Sequence, residues 1–477
     1  MFADVTEAVE FVAAEEVQMI DLKAIDLPGR WHHVTLPASR VTPDSLRHGA
    51  GLDTSSYIGY KSVEAGDMRV VPDVTTGMVD PFCEAKTLSF ICEIVEPMSG
   101  AAYTRDPRGV ARRAEEYFSQ VVSPGHPVFS PELEFYVFSR VEYLSEMHAA
   151  GYEVDSAEAL WGSRAGEGPE LGHRIPAHGG YHAIPPRDKL HDLRSRMLSA
   201  IEAAGVPGHY HHHEVGAPGQ VEVEVGFGTL LEMADAVMKM KYLITNIAHQ
   251  AGASATFMPK PMFGEAGNGM HVHQYVTHND RSLFWDADGD YAHLSEMALS
   301  WIGGLLTHAA ALLGLCSPST NSYRRLVPGY EAPISAFYGL SNRTAAIRVP
   351  AYSVNERENR IEFRPPDATC NPYLALAAMT MAGLDGIRQG VDPAEHDFGP
   401  FDTDVEQMAP QERARITQLP TSLDDALSAL EDDHDFLLEG DVFSEDLIGE
   451  WIGLKREEVA AVNQRPHPHE YVLYYDL

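Results

Sequence analysis

The sequence predicts an α+β protein with a small N-terminal unit and a large second unit. An amphipathic helical segment opens the chain and is followed by short strand-like runs up to about residue 100. Beyond that point strands and helices alternate without the regular βαβ spacing of a parallel sheet. The 477 residues, 44% of them hydrophobic, suffice for a large core and for more than one domain.

The elements follow in order. Residues 3–19 predict a helix marked by Val5, Val9, Val12 and Val17. Residues 18–27, 31–36 and 88–94 predict strands. The Ser99-Gly100 turn and the helix-start signal Arg105-Asp106-Pro107-Arg108 divide the chain into units of 1–104 and 105–477, and a helix is predicted over 110–122. Residues 155–180, rich in glycine and small residues, predict a long loop. Long helices are predicted over 230–250 and 371–387, the second opening on Asn371-Pro372. Residues 392–420 read as acidic surface, 421–433 and 444–459 as helices, and 466–477 as an extended tail.

Composition narrows the function. With 70 acidic against 35 basic residues the formal charge is −35. Such a surface repels phosphate backbones and anionic lipid, which excludes nucleic-acid and membrane partners. Eight of the basic residues are Lys and the rest Arg. Cys83, Cys92, Cys316 and Cys370 show no CxxC spacing and read as buried free thiols. No signal segment and no run of 18 apolar residues is seen, so the expected location is the cytoplasm.

Four strand-like segments carry charge on one face. Residues two apart in a strand share a face. Glu132 therefore aligns with Glu134, Glu222 with Glu224, His271 with His273, and Arg360 with Glu362 and Arg364, each set opposite an apolar row. One such strand reads as a half-exposed surface. Four of them, nearly free of Thr, Ser and Lys, read as a cleft if they are neighbours. Crowded carboxylates repel, and divalent cations resolve the conflict. Carboxylates with one or two imidazoles favour Mg²⁺ or Mn²⁺, and their number favours two ions. In the run His211-His212-His213-Glu214, successive side chains diverge. The histidines therefore read as a polar loop, and Glu214 is the better ligand candidate. Turn-rich segments holding Arg324, Arg325 and Glu331, then Arg343 and Arg348, suit phosphate and carboxylate anions, although each Arg alone reads as a surface ion pair. Cations beside anion clamps suit phosphoryl transfer. There is no GxxxxGK[ST] loop, so any ATP is held in another way.

These segments resemble the type I glutamine synthetases nearly end to end. The resemblance is carried by Leu52-Asp53-Thr54-Ser55-Ser56, Pro131-Glu132-Leu133-Glu134, His212-His213-Glu214-Val215-Gly216 and Gly219-Gln220-Val221-Glu222. Thr256-Phe257-Met258-Pro259-Lys260-Pro261, Gly267-Asn268-Gly269-Met270-His271-Val272-His273, Arg325-Leu326-Val327-Pro328-Gly329-Tyr330-Glu331, the segment from Asn342-Arg343 to Arg348, and Arg360-Ile361-Glu362-Phe363-Arg364-Pro365-Pro366-Asp367 complete it. It implies an N-terminal β-grasp domain, a catalytic domain on a curved antiparallel sheet with surrounding helices, and twelve subunits in two rings. It implies one metal on Glu134, Glu214 and Glu222 and a second on Glu132, His271 and Glu362. Gly267, Arg325 and Arg364 would bind glutamate, while Phe227, His273, Arg343, Arg348 and Arg360 would bind the nucleotide and its phosphates. Asp53 of a neighbouring subunit would take the proton of ammonium, with Glu331 as a flap and Arg343 also catalytic. The implied reaction joins ammonia to the glutamate side chain with ATP through γ-glutamyl phosphate. The rival reading is a γ-glutamyl ligase for another amine, such as ethanolamine or a polyamine. An inactive structural or regulatory paralogue is a third. Ala266, Gly228 and Tyr275 depart from the usual Asn, Asn and Ser, and Glu406 stands where adenylylated members carry Tyr.

Overall fold

A computed structural model describes residues 2–161, 171–329, 331–353, 355–403 and 405–477, with the side chains of Glu406 and Glu412 also outside the description. Part of the expected long loop and the side chain at the adenylylation position therefore lie outside the described residues.

The first helix, α1 (Val5–Ala14), starts where the Asp4 carboxylate accepts the amides of Thr6 at 2.7 Å and Glu7 at 3.0 Å. It stops short of residue 19 because Glu16 turns to a left-handed φ of 51° and Val17 folds into the core. Strands β1 (Met19–Ile25) and β2 (Trp31–Pro37), a short helix α2 (Pro43–His48), and strands β3 (Ala50–Asp53), β4 (Asp67–Pro72), β5 (Met78–Val79) and β6 (Thr87–Val95) follow. The sheet order is β2-β1-β6-β4-β3, with β5 on β6 and a parallel β1/β6 pair at its heart. Its apolar face, including Ile20, Leu22, Val70, Leu88 and Phe90, packs under α1. This is the β-grasp arrangement that the resemblance implied.

The second unit runs through α3 (Pro107–Val121), β7 (His126–Phe138), the hairpin β8 (Arg140–Glu146) and β9 (Ala149–Asp155), α4 (His191–Ala203), β10 (Gly208–His213), β11 (Gln220–Val225), β12 (Gly228–Thr229), α5 (Leu230–Gln250) and β13 (Ser254–Thr256). It continues through β14 (Val272–His278), β15 (Arg281–Ser282), α6 (Glu296–Thr307), α7 (Ala309–Cys316), α8 (Ser322–Arg325), β16 (Tyr338–Leu340), β17 (Ile347–Val349), β18 (Ile361–Phe363) and α9 (Pro372–Gln389). The large sheet is ordered β10-β11-β7-β14-β18-β17-β16, with β12 and β13 on β7 and β15 on β14. All its pairs are antiparallel except β16/β17. Leu133, Phe135, Val221, Val223 and Val225 join one core with residues of α3, α5, α6 and α9. That fixes which face of β7 and β11 is left for charge.

Three expectations are corrected. Residues 208–213 form strand β10 rather than a polar loop. The tail is helical over Pro468–Tyr474, because His467 and Glu470 form a reciprocal capping box around Pro468. Cys83 is exposed, whereas Cys92, Cys316 and Cys370 are buried free thiols. Among the described residues no single helix is long and apolar enough to cross a membrane.

Arg108 ties the two units together. It is 1% exposed, and its guanidinium donates to Asp73, just past β4, at 2.8 Å, to Glu93 of β6 at 3.0 Å and to Asp235 of α5 at 2.8–3.0 Å. Removing one partner from a buried ion network leaves the others desolvated and unpaired. Arg108→Met is therefore expected to cost about 3–5 kcal/mol of stability, read from urea unfolding. A loss within error of zero would show that the network does not weld the units.

Candidate active site

The sheet order makes β11, β7, β14 and β18 consecutive neighbours, so the four charged rows are side by side. Register aligns Glu222 with Glu134, Glu224 with Glu132, and His273 with Glu362. The rows face a cavity of about 1360 Å³ whose lining includes Glu132, Glu134, Glu214, Glu222, Glu224, His271 and Glu362.

Glu132, His271 and Glu362 form one compact group, with one ligand atom from each inside a 4.8 Å span. His271 Nδ1 lies 3.2 Å from Glu132 and 3.7 Å from Glu362, and His273 Nε2 lies 2.8 Å from the other Glu132 oxygen. A second group contains His212, Glu214 and Glu222. Glu134 is not within it: one oxygen accepts the Gly269 amide at 2.8 Å and the Gln220 side-chain amide at 3.4 Å, and the other lies 3.7 Å from His271. His212 stands in that group instead, because β10 pairs with β11 so that His212 is opposite Glu222. Its Nδ1 lies 3.6 Å from Glu214 and its Nε2 3.8 Å from Glu222. Glu132, Glu222 and Glu224 form a third overlapping group, and the Tyr210 hydroxyl donates to Glu224.

The electrostatics divide the carboxylates. Burial, then the neighbouring Glu134, pushes Glu214 up to about 7. Burial, then Glu132, pushes Glu224 to about 8, and Glu222 is driven well above the usual range by burial, Glu132 and Glu214. Burial also opposes ionisation of Glu362, but the Arg364 guanidinium and the His273 ring outweigh it and hold that carboxyl at about 2. Glu132 is likewise kept well below its ordinary value, His273 and His271 outweighing burial. Such a donor set, mostly carboxylate oxygen with imidazole, fits hard divalent cations, which relieve the repulsion at Glu214 and Glu222.

The anion side is built from Arg325, Arg343, Arg348 and Arg364, all lining the cavity. Arg364 and Arg348 donate to Glu362, and Arg364 Nε also donates to the Arg343 carbonyl at 3.1 Å. Arg325 is fixed by the carbonyls of Pro365 at 2.8 Å, Pro366 at 3.3 Å and Arg364 at 3.1 Å. Gly267 packs so closely that a Cβ would stand 2.8 Å from Arg325 Cγ and 2.6 Å from the Pro259 carbonyl. Phe227, His273 and Arg360 are not among the residues lining the cavity. Arg360 lies 5.6 Å from the Phe227 ring and 5.3 Å from that of Tyr352, and Tyr275 meets Phe227 edge-on at 5.0 Å. Glu331 lines the cavity from a strained backbone, φ 55°. Asp53 does not line it. Exposed at the end of β3, it accepts the Ser55 amide at 2.8 Å.

Sequence reasoning missed His212, Tyr181 and Gln220. Gln220 shares the Glu222 face two residues away. It is fully buried and bridges Glu134, the Gly267 carbonyl and Asn268. Tyr181, stacked on His182 at 4.0 Å and lining the cavity, carried no signal in the sequence.

Comparison with known proteins accounts for the geometry. The family profile "Glutamine synthetase, catalytic domain" matches residues 104–474, and "Glutamine synthetase, beta-Grasp domain" matches residues 16–97. Glutamine synthetases of Streptomyces coelicolor and Frankia alni are each 44% identical over all of this chain and all of theirs. That of Microchaete diplosiphon is 45% identical over 98% of this chain and 99% of its own. The cryoEM structure of Plasmodium falciparum glutamine synthetase superposes with a TM-score of 0.89 at 26% identity, covering 99% of both chains. By profile, by full-length identity and by fold, this chain belongs to the glutamine synthetase family.

Proposed function

We propose that the protein joins ammonia to the side-chain carboxylate of L-glutamate, consuming ATP and releasing glutamine, ADP and phosphate. The observation that carries this reading is the convergence of acidic and imidazole groups from four adjacent strands beside four cavity-lining arginines. Glu214 and Glu222, with Glu134 opposite Glu222 on the next strand, would hold one divalent cation, Mg²⁺ or Mn²⁺, and Glu132, His271 and Glu362 would hold the other. When bound, the cations neutralise the ATP phosphates and favour transfer of the terminal phosphoryl group.

The protein's own groups do the rest. Arg343 and Arg348 clamp phosphate oxygens, while Phe227, His273 and Arg360 support the nucleotide. Gly267, Arg325 and Arg364 orient glutamate, so that its side-chain carboxylate oxygen attacks the terminal phosphorus of ATP, ADP leaves with the bridging oxygen, and an acyl phosphate forms. Asp53, from a neighbouring subunit, binds ammonium and takes one proton. Its carboxyl is held below the ordinary value by the Ser55 amide and hydroxyl, which favours its charged form as a partner for a cation. The freed amine attacks the acyl carbon and phosphate leaves. Glu331 closes the cavity, keeping water from the intermediate. Residues 1–104 and 105–477 act as the two domains of a dodecameric, cytoplasmic enzyme.

Phosphate release with glutamate, ATP and Mg²⁺ or Mn²⁺ tests the reading, with glutamine identified by mass. Ammonium is expected to be the fastest amine. Ala266 gives the cavity wall only a methyl group where a polar side chain is usual, so the panel includes methylamine, ethanolamine and putrescine. Faster turnover of any of these overturns ammonia as the substrate.

A further inference from the structure

We propose that His213 and Glu158 are positioning residues: a buried hydrogen-bonded pair that fixes Glu214 as a cation ligand and seats the 178–182 cavity wall beside it. The proposal rests on the reading of Glu214 as a ligand and goes beyond it.

His213 is 0% exposed and Glu158 1%. The His213 Nδ1 lies 2.7 Å from the Glu214 carbonyl, and its Nε2 lies 3.1 Å from Glu158 Oε2. A carbonyl can only accept, so Nδ1 carries a hydrogen. The Nε2 side of the ring faces the Glu158 carboxylate, so both ring nitrogens are engaged and the ring cannot turn without breaking a buried contact. The second Glu158 oxygen accepts the Lys189 amide at 2.6 Å, and its carbonyl accepts the Ile175 amide at 3.0 Å. Glu158 is thus anchored to segments on either side of the wall.

The wall closes onto the same point. The His182 amide donates to the His213 carbonyl at 3.0 Å, and the Gly180 amide to the Val215 carbonyl at 3.2 Å. A Cβ at Gly180 would stand 2.3 Å from the Glu214 carbonyl and 2.7 Å from the His213 ring, so the segment passes there only as glycine. Tyr181 and His182 are thereby brought into the cavity. On the Glu214 side the carboxylate accepts the Val215 amide at 2.7 Å. A shift of the backbone at residues 213–215 therefore moves the ligand oxygens directly.

Groups that orient a ligand typically change metal affinity by about 10- to 100-fold when lost. Glu158→Gln keeps shape and the acceptor for Lys189 but puts an amide nitrogen, a donor, where an oxygen faces His213 Nε2. Free Mn²⁺ is counted by electron paramagnetic resonance while the full-length protein is titrated. In Glu158→Gln one class of Mn²⁺ sites is expected to weaken by about 10- to 100-fold with the other unchanged. The KM for Mn²⁺ should rise by the same factor, with kcat at saturating Mn²⁺ retained. If Glu158→Gln does not fold, His213→Asn is titrated in its place, since Asn keeps a donor near the Glu214 carbonyl but cannot reach Glu158. Unchanged binding, or equal weakening of both classes, overturns the proposal. Wild-type protein that binds no Mn²⁺ would instead end the reading of the cavity itself.

Discussion

Glu222→Gln is expected to lower glutamine formation by about 10³-fold while making the cation-free protein more stable. Glu222 belongs to two of the three overlapping ligand groups and is only 6% exposed. Glutamine keeps the shape but offers no charge to a cation. In the absence of metal the same change removes a repelling carboxylate, so function and stability move in opposite directions. The pH dependence follows. Unfolded, these carboxyls titrate near 4.5, whereas in the fold Glu214 and Glu224 titrate at about 7 and about 8. Between 4.5 and about 8 the native state holds protons that the unfolded chain has released. The stability tied to these two groups is thus complete below 4.5 and is lost as pH rises through 7 and 8. Glu362 runs the other way: its contribution is complete above 4.5 and lost as pH falls towards 2. Wild-type protein in chelator should therefore melt at steadily lower temperature from pH 5 to 8.5. Glu222→Gln or added Mn²⁺ should flatten that slope. A melting temperature that is constant or rises over this range would show that the carboxylates are not crowded.

Local signals in the sequence were reliable where a cap or a period fixes an element. The helix over Leu230–Gln250 starts where expected because Thr229 and Glu232 form a capping box. Asn371-Pro372 opens α9, and Gly390 closes it at a φ of 63°. The period of two placed Glu132 with Glu134 and Glu222 with Glu224 correctly. It could not show that Glu222 faces Glu134, because that register joins residues far apart in the chain through the order of the whole sheet. His212 was lost for a related reason. Three successive histidines give no preferred face until β10 is known to pair with β11, after which only His212 points at Glu222 while His213 turns to Glu158. The tail was misread although its signal was present: Pro468 followed by Glu470 opens a helix, but the aromatic and β-branched residues after it suggest extended chain.

A mixture of two inactive variants should regain activity if Asp53 serves a neighbouring subunit. Asp53 sits at the end of β3 in the small sheet and is not among the residues lining the cavity of its own chain. A site assembled between copies needs Asp53 from one chain and the carboxylate cavity from another. Asp53→Ala alone removes the group proposed to bind and deprotonate ammonium, and Glu222→Gln alone removes a proposed cation ligand, so each parent is expected to be nearly inactive. In particles assembled at random from equal amounts of the two, a site works when an Asp53→Ala chain supplies the cavity and a Glu222→Gln chain supplies the aspartate. Each choice has even odds, so roughly a quarter of the sites recover. Co-expression with separate affinity tags isolates the mixed particles, and turnover per site gives the fraction. If Asp53 instead acted within its own chain, every site in the mixture would carry one lesion or the other. Activity would then stay at the level of the parents, whatever the ratio of the two chains.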